Sequence, residues 1–82
     1  MKKHYVSVIK SNSTVFFWER MATAKTIHGA KRMATKRWSG AMLPEDELVV
    51  GMAHANKDDD PLKYCRIQEL AYKTRNGEWR NY

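Results

Sequence analysis

Hydrophobic and polar positions in the first twenty residues follow a pattern that predicts two strands. Residues 4–10 and 14–20 are rich in Val, Ile and aromatic side chains, and the polar stretch 11–13 separates them. Two such runs around a turn-like break predict an antiparallel hairpin. Residues 15–18 are apolar on both strand faces, so we expect one face to meet a helix and the other to meet more protein or a partner.

The hydrophobic period changes after residue 26 to that of a helix. Apolar residues recur there at spacings of three and four, which places them on one stripe of an α-helix. They are Ile27, Ala30, Ala34 and Trp38. We predict Thr26 as the N-cap and Gly40 as the C-terminal stop. Gly29 costs a helix about 1 kcal/mol relative to alanine, so it indicates either a dependence on tertiary packing or the close approach of another group.

The second half of the chain predicts three more strands. Residues 64–73 fit a helix or a strand by period alone. The Asn76-Gly77 dipeptide before Trp79 and Arg80 favours a hairpin with a type I′ turn, and therefore a strand. We predict a loop at 39–47, a strand at 48–55, an acidic connection at 56–61 and a last hairpin at 64–80.

Length and composition are those of one small folded domain. The 82 residues are 43% hydrophobic with three Trp, four Tyr and two Phe. That fraction suffices for a single small core. We predict one α+β domain over residues 1–82, a small antiparallel β-sheet with one helix packed on it, in the order β-β-α-β-β-β.

Charge is segregated along the chain, which has a net charge of +6. Residues 20–44 hold six cations and no acid: Arg20, Lys25, Lys31, Arg32, Lys36 and Arg37. On a helical wheel Arg32 and Lys36 fall opposite the apolar stripe, with Lys31 and Arg37 on its flanks. Such a face attracts polyanions or acidic protein surfaces, or it is simply a solvated helix face.

A second group of cations surrounds the predicted last turn. Lys73, Arg75 and Arg80 lie near Tyr72 and Trp79. Cations beside aromatics suit phosphate contact and stacking, and also protein interfaces. Alternatively, Tyr72 and Trp79 form a cross-strand pair on the core face while the cations are merely solvated. The predicted binding residues are Lys25, Lys31, Arg32, Lys36, Arg37, Lys73, Arg75 and Arg80.

No catalytic, metal or cofactor motif is recognisable in the sequence. The four glycines lack the spacing of a nucleotide-binding loop, and the three histidines lie on separate predicted elements. Cys65 is the only cysteine, which excludes an intramolecular disulfide. We therefore predict a protein that is not an enzyme, without cofactors. No segment is long and apolar enough to span a membrane, and we expect a soluble cytoplasmic protein.

Two segments resemble a known family. Residues 26–36, together with residues 70–73 and the following Asn76-Gly77, resemble a small phage-encoded anti-CRISPR family that acts on type I-F CRISPR surveillance complexes. Met1-Lys2 and Tyr5 in a first strand also fit. Members of that family pair a small antiparallel sheet with one helix in the order predicted here.

The resemblance implies a non-enzymatic inhibitor that works inside the bacterial host. It would dock on the crRNA-bound Cas backbone and block hybridisation with target DNA, and some members also promote non-specific duplex binding. On this analogy Lys31, Arg32 and Lys36 belong to the contact surface.

Two other hypotheses remain open from the sequence. One is an accessory protein that binds DNA or RNA directly and non-specifically, with affinity that falls steeply with salt. The other is a small assembly protein that oligomerises through the doubly apolar residues 15–18.

Overall fold

A helix crosses one face of an antiparallel sheet in the computed structural model, which describes residues 3–11, 14–15, 18–21, 23–55 and 64–82. The predicted α+β class is confirmed. The strands are β1 (Lys3–Ser11), β2 (Thr14–Val15), β3 (Glu19–Arg20), β4 (Glu47–Ala55), β5 (Tyr64–Thr74) and β6 (Arg80–Asn81), and the helix is α1 (Ile27–Trp38).

The strand order in the sheet is β2-β1-β4-β5-β6, with β3 also pairing with β1, and every pair is antiparallel. The predicted second strand is therefore two short strands that both pair with β1. The predicted apolar run 15–18 falls largely outside the described residues, and so does the predicted acidic connection 56–61.

Strand register decides which side chains meet the helix. Ile9 pairs with Leu48, and Val8 pairs with Val49 on the opposite side of the sheet. Since neighbouring residues in a strand point to opposite faces, the two sides have separate buried sets. The helix side holds one cluster: Ile9, Ala30, Ala34, Met42, Leu48 and Val50. Val6, Val8, Val49 and Ala53 are buried away from it.

Small residues bring α1 close to the sheet. Ala30 and Ala34 are fully buried, whereas Ile27 and Trp38 are half-buried at the ends of the stripe. The predicted N-cap is confirmed, because the Gly29 N–H donates to Thr26 Oγ1 at 3.1 Å.

The α-helix ends two residues before the predicted stop at Gly40, but Gly40 does not reverse the chain. The helix ends at Trp38, and Ser39 keeps right-handed helical angles of φ −56° and ψ −35°. The chain then continues as a 3₁₀ turn over Ser39–Ala41, which contains Gly40. No left-handed residue is needed, because the helix tightens instead of reversing.

Asp46 fixes the connection between this turn and β4. Its carboxylate is buried and accepts hydrogen bonds from the Leu43 N–H at 2.9 Å and the Ser11 hydroxyl at 2.7 Å. Asp46 therefore serves the fold, because both hydrogen bonds join the loop to the end of β1.

Strand β5 contains a bulge that the sequence pattern did not predict. The register changes from Val50↔Ala71 to Gly51↔Glu69, which leaves Leu70 as the extra residue. The extra residue shifts the alternation of faces, so Glu69 and Tyr72 lie on the same side of the sheet.

The last hairpin is confirmed, but its predicted turn is not. The Gly77 N–H donates to the Thr74 carbonyl at 3.2 Å, so Arg75 and Asn76 occupy the centre of the turn and Gly77 its last position. A Cβ on Gly77 would lie 2.5 Å from Thr74 Oγ1, which favours glycine there. The turn is therefore not a type I′ turn centred on Asn76-Gly77, because Gly77 is its last residue and has no left-handed φ.

Candidate functional site

The outward side of α1 carries exposed cations. Arg32 and Lys36 are both exposed and lie opposite the buried stripe, as predicted. Gly29 shares this side of the helix. We call Gly29, Arg32 and Lys36 the helix ridge. The helix contains no Asp or Glu, so no charge within it offsets the positive potential of the ridge.

A groove lies on each side of the helix ridge, and the three ridge residues line both. The larger one, called here the Trp79 groove, has a volume of about 900 Å³. Besides the ridge it is lined by residues that include Thr26, His28, Lys31, Thr35 and Trp79. The smaller groove has a volume of about 310 Å³ and includes Thr23, Lys25 and Met33.

Trp79 connects the helix to the last hairpin. Its half-buried ring packs against the core cluster on the helix side. The Lys31 ammonium lies 5.8 Å from the ring centroid, which is within reach of a cation–π contact. The structure thus brings together one predicted helix cation and one aromatic of the predicted hairpin.

Arg37, another predicted binding residue, is engaged within the fold. Its guanidinium lies 4.5 Å from the Trp38 ring centroid, and its Nε donates to Glu19 at 3.2 Å. The Trp38 indole N–H in turn donates to the buried Ser7 hydroxyl at 2.9 Å. This chain of contacts ties the end of α1 to β1 and β3, so Arg37 contributes to helix docking.

The predicted cations of the last hairpin do not form one patch. Lys73 pairs with Leu48 on the helix side, whereas Arg80 pairs with Tyr72 on the opposite side. Arg75 is exposed in the turn between them. A single surface cannot include all three cations, and only the helix-side residue lies on the side of the ridge.

The proposed Tyr72–Trp79 cross-strand pair is wrong. Tyr72 pairs with Arg80 and its ring lies 4.8 Å from that of Tyr82. The extra residues of the hairpin loop place Trp79 before the strand begins. Sequence reasoning missed this because the face on which an aromatic lies depends on the length of the loop.

The side of the sheet away from α1 has its own charge contacts. Lys10 forms an ion pair with Glu69, and the Tyr82 hydroxyl donates to the same carboxylate at 3.3 Å. Burial, followed by the negative charge of Glu69, raises the pKa of Tyr82 to about 12. The Glu69 carboxylate is thus held by contacts within the protein.

The described part of the chain contains no metal site and no membrane-spanning helix. No three His, Cys, Asp or Glu side chains there come together as a metal site would require. No helix within the described ranges is long and apolar enough to cross a bilayer.

Comparison with known proteins adds no relative: no family model, no curated protein and no solved structure matches the chain. The arrangement itself defines what this surface can do. A cationic ridge between two open grooves, with an indole in the larger one, can bind an extended anionic partner.

Proposed function

We propose that this protein is a non-enzymatic inhibitor of phage type that docks through the helix ridge and the Trp79 groove onto an RNA-guided surveillance complex of the bacterial host. Docking would block access of target DNA, in the cytoplasm where such complexes work. The observation that carries the proposal is the ridge itself, where Arg32 and Lys36 are exposed on a helix without acids.

Charge compensation elsewhere supports a binding role for the ridge. Arg37 contacts Glu19 and Lys10 contacts Glu69, so these cations act within the fold. In the described part of the chain, Arg32 and Lys36 form no ion pair. Exposed cations without intramolecular partners keep their potential for a partner.

The resemblance to the type I-F anti-CRISPR family supports the choice of partner. The residues that carry it include Lys31, Arg32 and Lys36, which here line the Trp79 groove. Lys31 contacts Trp79, so the ridge cations are the ones best placed to reach a partner.

The test uses a purified crRNA-loaded type I-F complex and labelled target DNA. Wild-type protein should bind the complex and prevent target binding. The Arg32→Glu/Lys36→Glu variant should lose this inhibition by about a hundredfold or more, because the interface meets two reversed charges. Both side chains are exposed, so stability should change by less than about 0.5 kcal/mol.

A charge-matched control separates the surface from net charge. Arg75→Glu/Arg80→Glu changes the net charge equally but leaves the ridge and both grooves intact: Arg75 is exposed in the hairpin turn and lines neither groove, and Arg80 is on the other side of the sheet. This control should inhibit like wild type. Equal loss in both variants, or no binding of the complex by wild type, would overturn the proposal.

A second candidate is direct, non-specific binding of DNA or RNA. The exposed part of Trp79 beside cations favours it, because bases stack on aromatic rings irrespective of sequence. In that case labelled oligonucleotides should bind without any protein partner. Their log affinity should fall by roughly 0.7 to 0.9 per phosphate contact for each tenfold rise in salt.

A further inference from the structure

Gly29 is a residue that the fold does not require. A Cβ at this position would meet only Thr26 Oγ1, at 3.4 Å, which is an ordinary van der Waals contact. The burial of Ala30 and Ala34 supports the helix despite this glycine, as the first of the two explanations requires. The second explanation, the close approach of another group, is compatible with the open surroundings of Gly29.

The position of Gly29 in the helix makes its presence more informative. Thr26 caps the helix, so Gly29 is the third helical residue, where glutamate completes a capping box. Alanine would also favour the helix, because it restricts the unfolded chain. Both stabilising choices would change the ridge: alanine would add a methyl group to it, and glutamate would add a negative charge.

Gly29 also occupies the point where the two grooves meet. It lines the Trp79 groove and the smaller groove, together with Arg32 and Lys36 one and two turns further along the same ridge. A missing side chain at that point lowers the ridge between the grooves. The recess is bordered by the exposed cations Lys25 and Arg32.

We propose that Gly29 forms a crossing point at which a phosphodiester strand passes over α1 from one groove to the other. This inference rests on the proposed function and names the part of the nucleoprotein partner that the ridge contacts. The strand fits by charge, because the described residues that line the two grooves include cations and no acid. Glycine admits close backbone approach where any side chain would hold the strand away.

The experiment compares Gly29→Ala with Gly40→Ala. Gly40 lies in the exposed 3₁₀ turn, lines neither groove, and has nothing within 4 Å of an added Cβ. The probes are labelled single-stranded RNA and DNA of mixed sequence, and the purified surveillance complex. Thermal unfolding of each variant reports on the fold.

Gly29→Ala should weaken strand binding by about fivefold to a hundredfold, because one methyl group overfills a close contact. Its Tm should rise by about 2–6 °C, since alanine favours the helix. A variant that folds better and binds worse excludes misfolding as the cause. Gly40→Ala should bind like wild type.

Each contrary result has a distinct meaning. If Arg32→Glu/Lys36→Glu loses inhibition but Gly29→Ala binds like wild type, the crossing point is wrong and the proposed function stands. If the protein binds the complex but no oligonucleotide, or prefers poly-glutamate to RNA, the partner segment is an acidic polypeptide and this inference fails alone. If the wild-type protein binds neither the oligonucleotides nor the surveillance complex, both proposals fail.

Discussion

The charged side chains on the two sides of the sheet differ in their contacts. On the side away from α1, Lys10 and the Tyr82 hydroxyl both contact Glu69, so Lys10 and Glu69 neutralise each other within the fold. On the helix side, the flanking cations Lys31 and Arg37 lie over tryptophan rings. The ridge cations between them have no such contact in the described part of the chain.

This difference separates cations that hold the structure from cations that are available to a partner. Exposed ion pairs contribute little to stability, typically less than about 1 kcal/mol, so their main effect here is to reduce the local potential. The ridge keeps its potential because nothing within the helix reduces it. Sequence position alone does not distinguish Arg37 from Lys36, although they are adjacent.

Truncating a core residue between the helix and the sheet should produce the largest effect on stability. Leu48 is fully buried beneath the helix, and Leu48→Ala should lower the free energy of unfolding by about 2–5 kcal/mol through lost burial and a cavity. Urea denaturation monitored by tryptophan fluorescence measures this change.

Leu43→Ala is the matched control for that substitution. Leu43 is 56% exposed, so the same truncation should change stability by less than about 0.5 kcal/mol. Similar losses in both variants would mean that Leu48 does not support the helix as the structure shows.

The helix and its ridge could be predicted from sequence because their signals are local. The stripe that includes Ala30 and Ala34 and the cations opposite it follow from a period of 3.6 residues, and the Thr26 cap follows from the hydroxyl of that side chain. Each of these features depends on residues within a few turns of one another.

The features that sequence reasoning missed are non-local. The bulge at Leu70 depends on how β5 fits against β4, and it reverses the face of every later residue relative to simple alternation. The five residues between β5 and β6 then carry Trp79 to the helix and leave Tyr72 beside Tyr82. The sequence identified the aromatic residues of the site but not the side of the sheet on which each one lies.

A glycine on the sheet sharpens the comparison with Gly29. A Cβ on Gly51 would lie 2.9 Å from the Gln68 carbonyl oxygen and 3.0 Å from Ile67 Cγ2, next to the bulge. Gly51→Ala should therefore destabilise the protein by about 1–3 kcal/mol, because backbone must move to admit the methyl group.

The sign of the effect is the informative quantity. The same substitution raises stability at Gly29 and lowers it at Gly51, although both residues lie inside regular elements. Thermal unfolding of Gly29→Ala, Gly51→Ala and Gly40→Ala measures the change in stability of each variant. An increase in Tm for Gly51→Ala would show that the close contact at the bulge is absent.

The smallest expected effect concerns Tyr82 on the side away from the ridge. Its pKa of about 12 lies above the ordinary value of 10.0, chiefly through burial and then through Glu69. The folded state thus holds the phenol proton more tightly than the unfolded chain. The resulting stabilisation is complete below pH 10 and is lost as the pH rises through about 12.

The difference between the ultraviolet titration curves of the wild-type protein and the Tyr82→Phe variant isolates the ionisation of Tyr82. Glu69→Gln should lower the pKa of Tyr82 part of the way towards its ordinary value, because the negative charge is removed while burial remains. Because Glu69 lies across the sheet from the ridge, the same variant should bind the surveillance complex like wild type. Weaker binding by Glu69→Gln would mean that the two sides are coupled, and the division between structural and available charges would then be wrong.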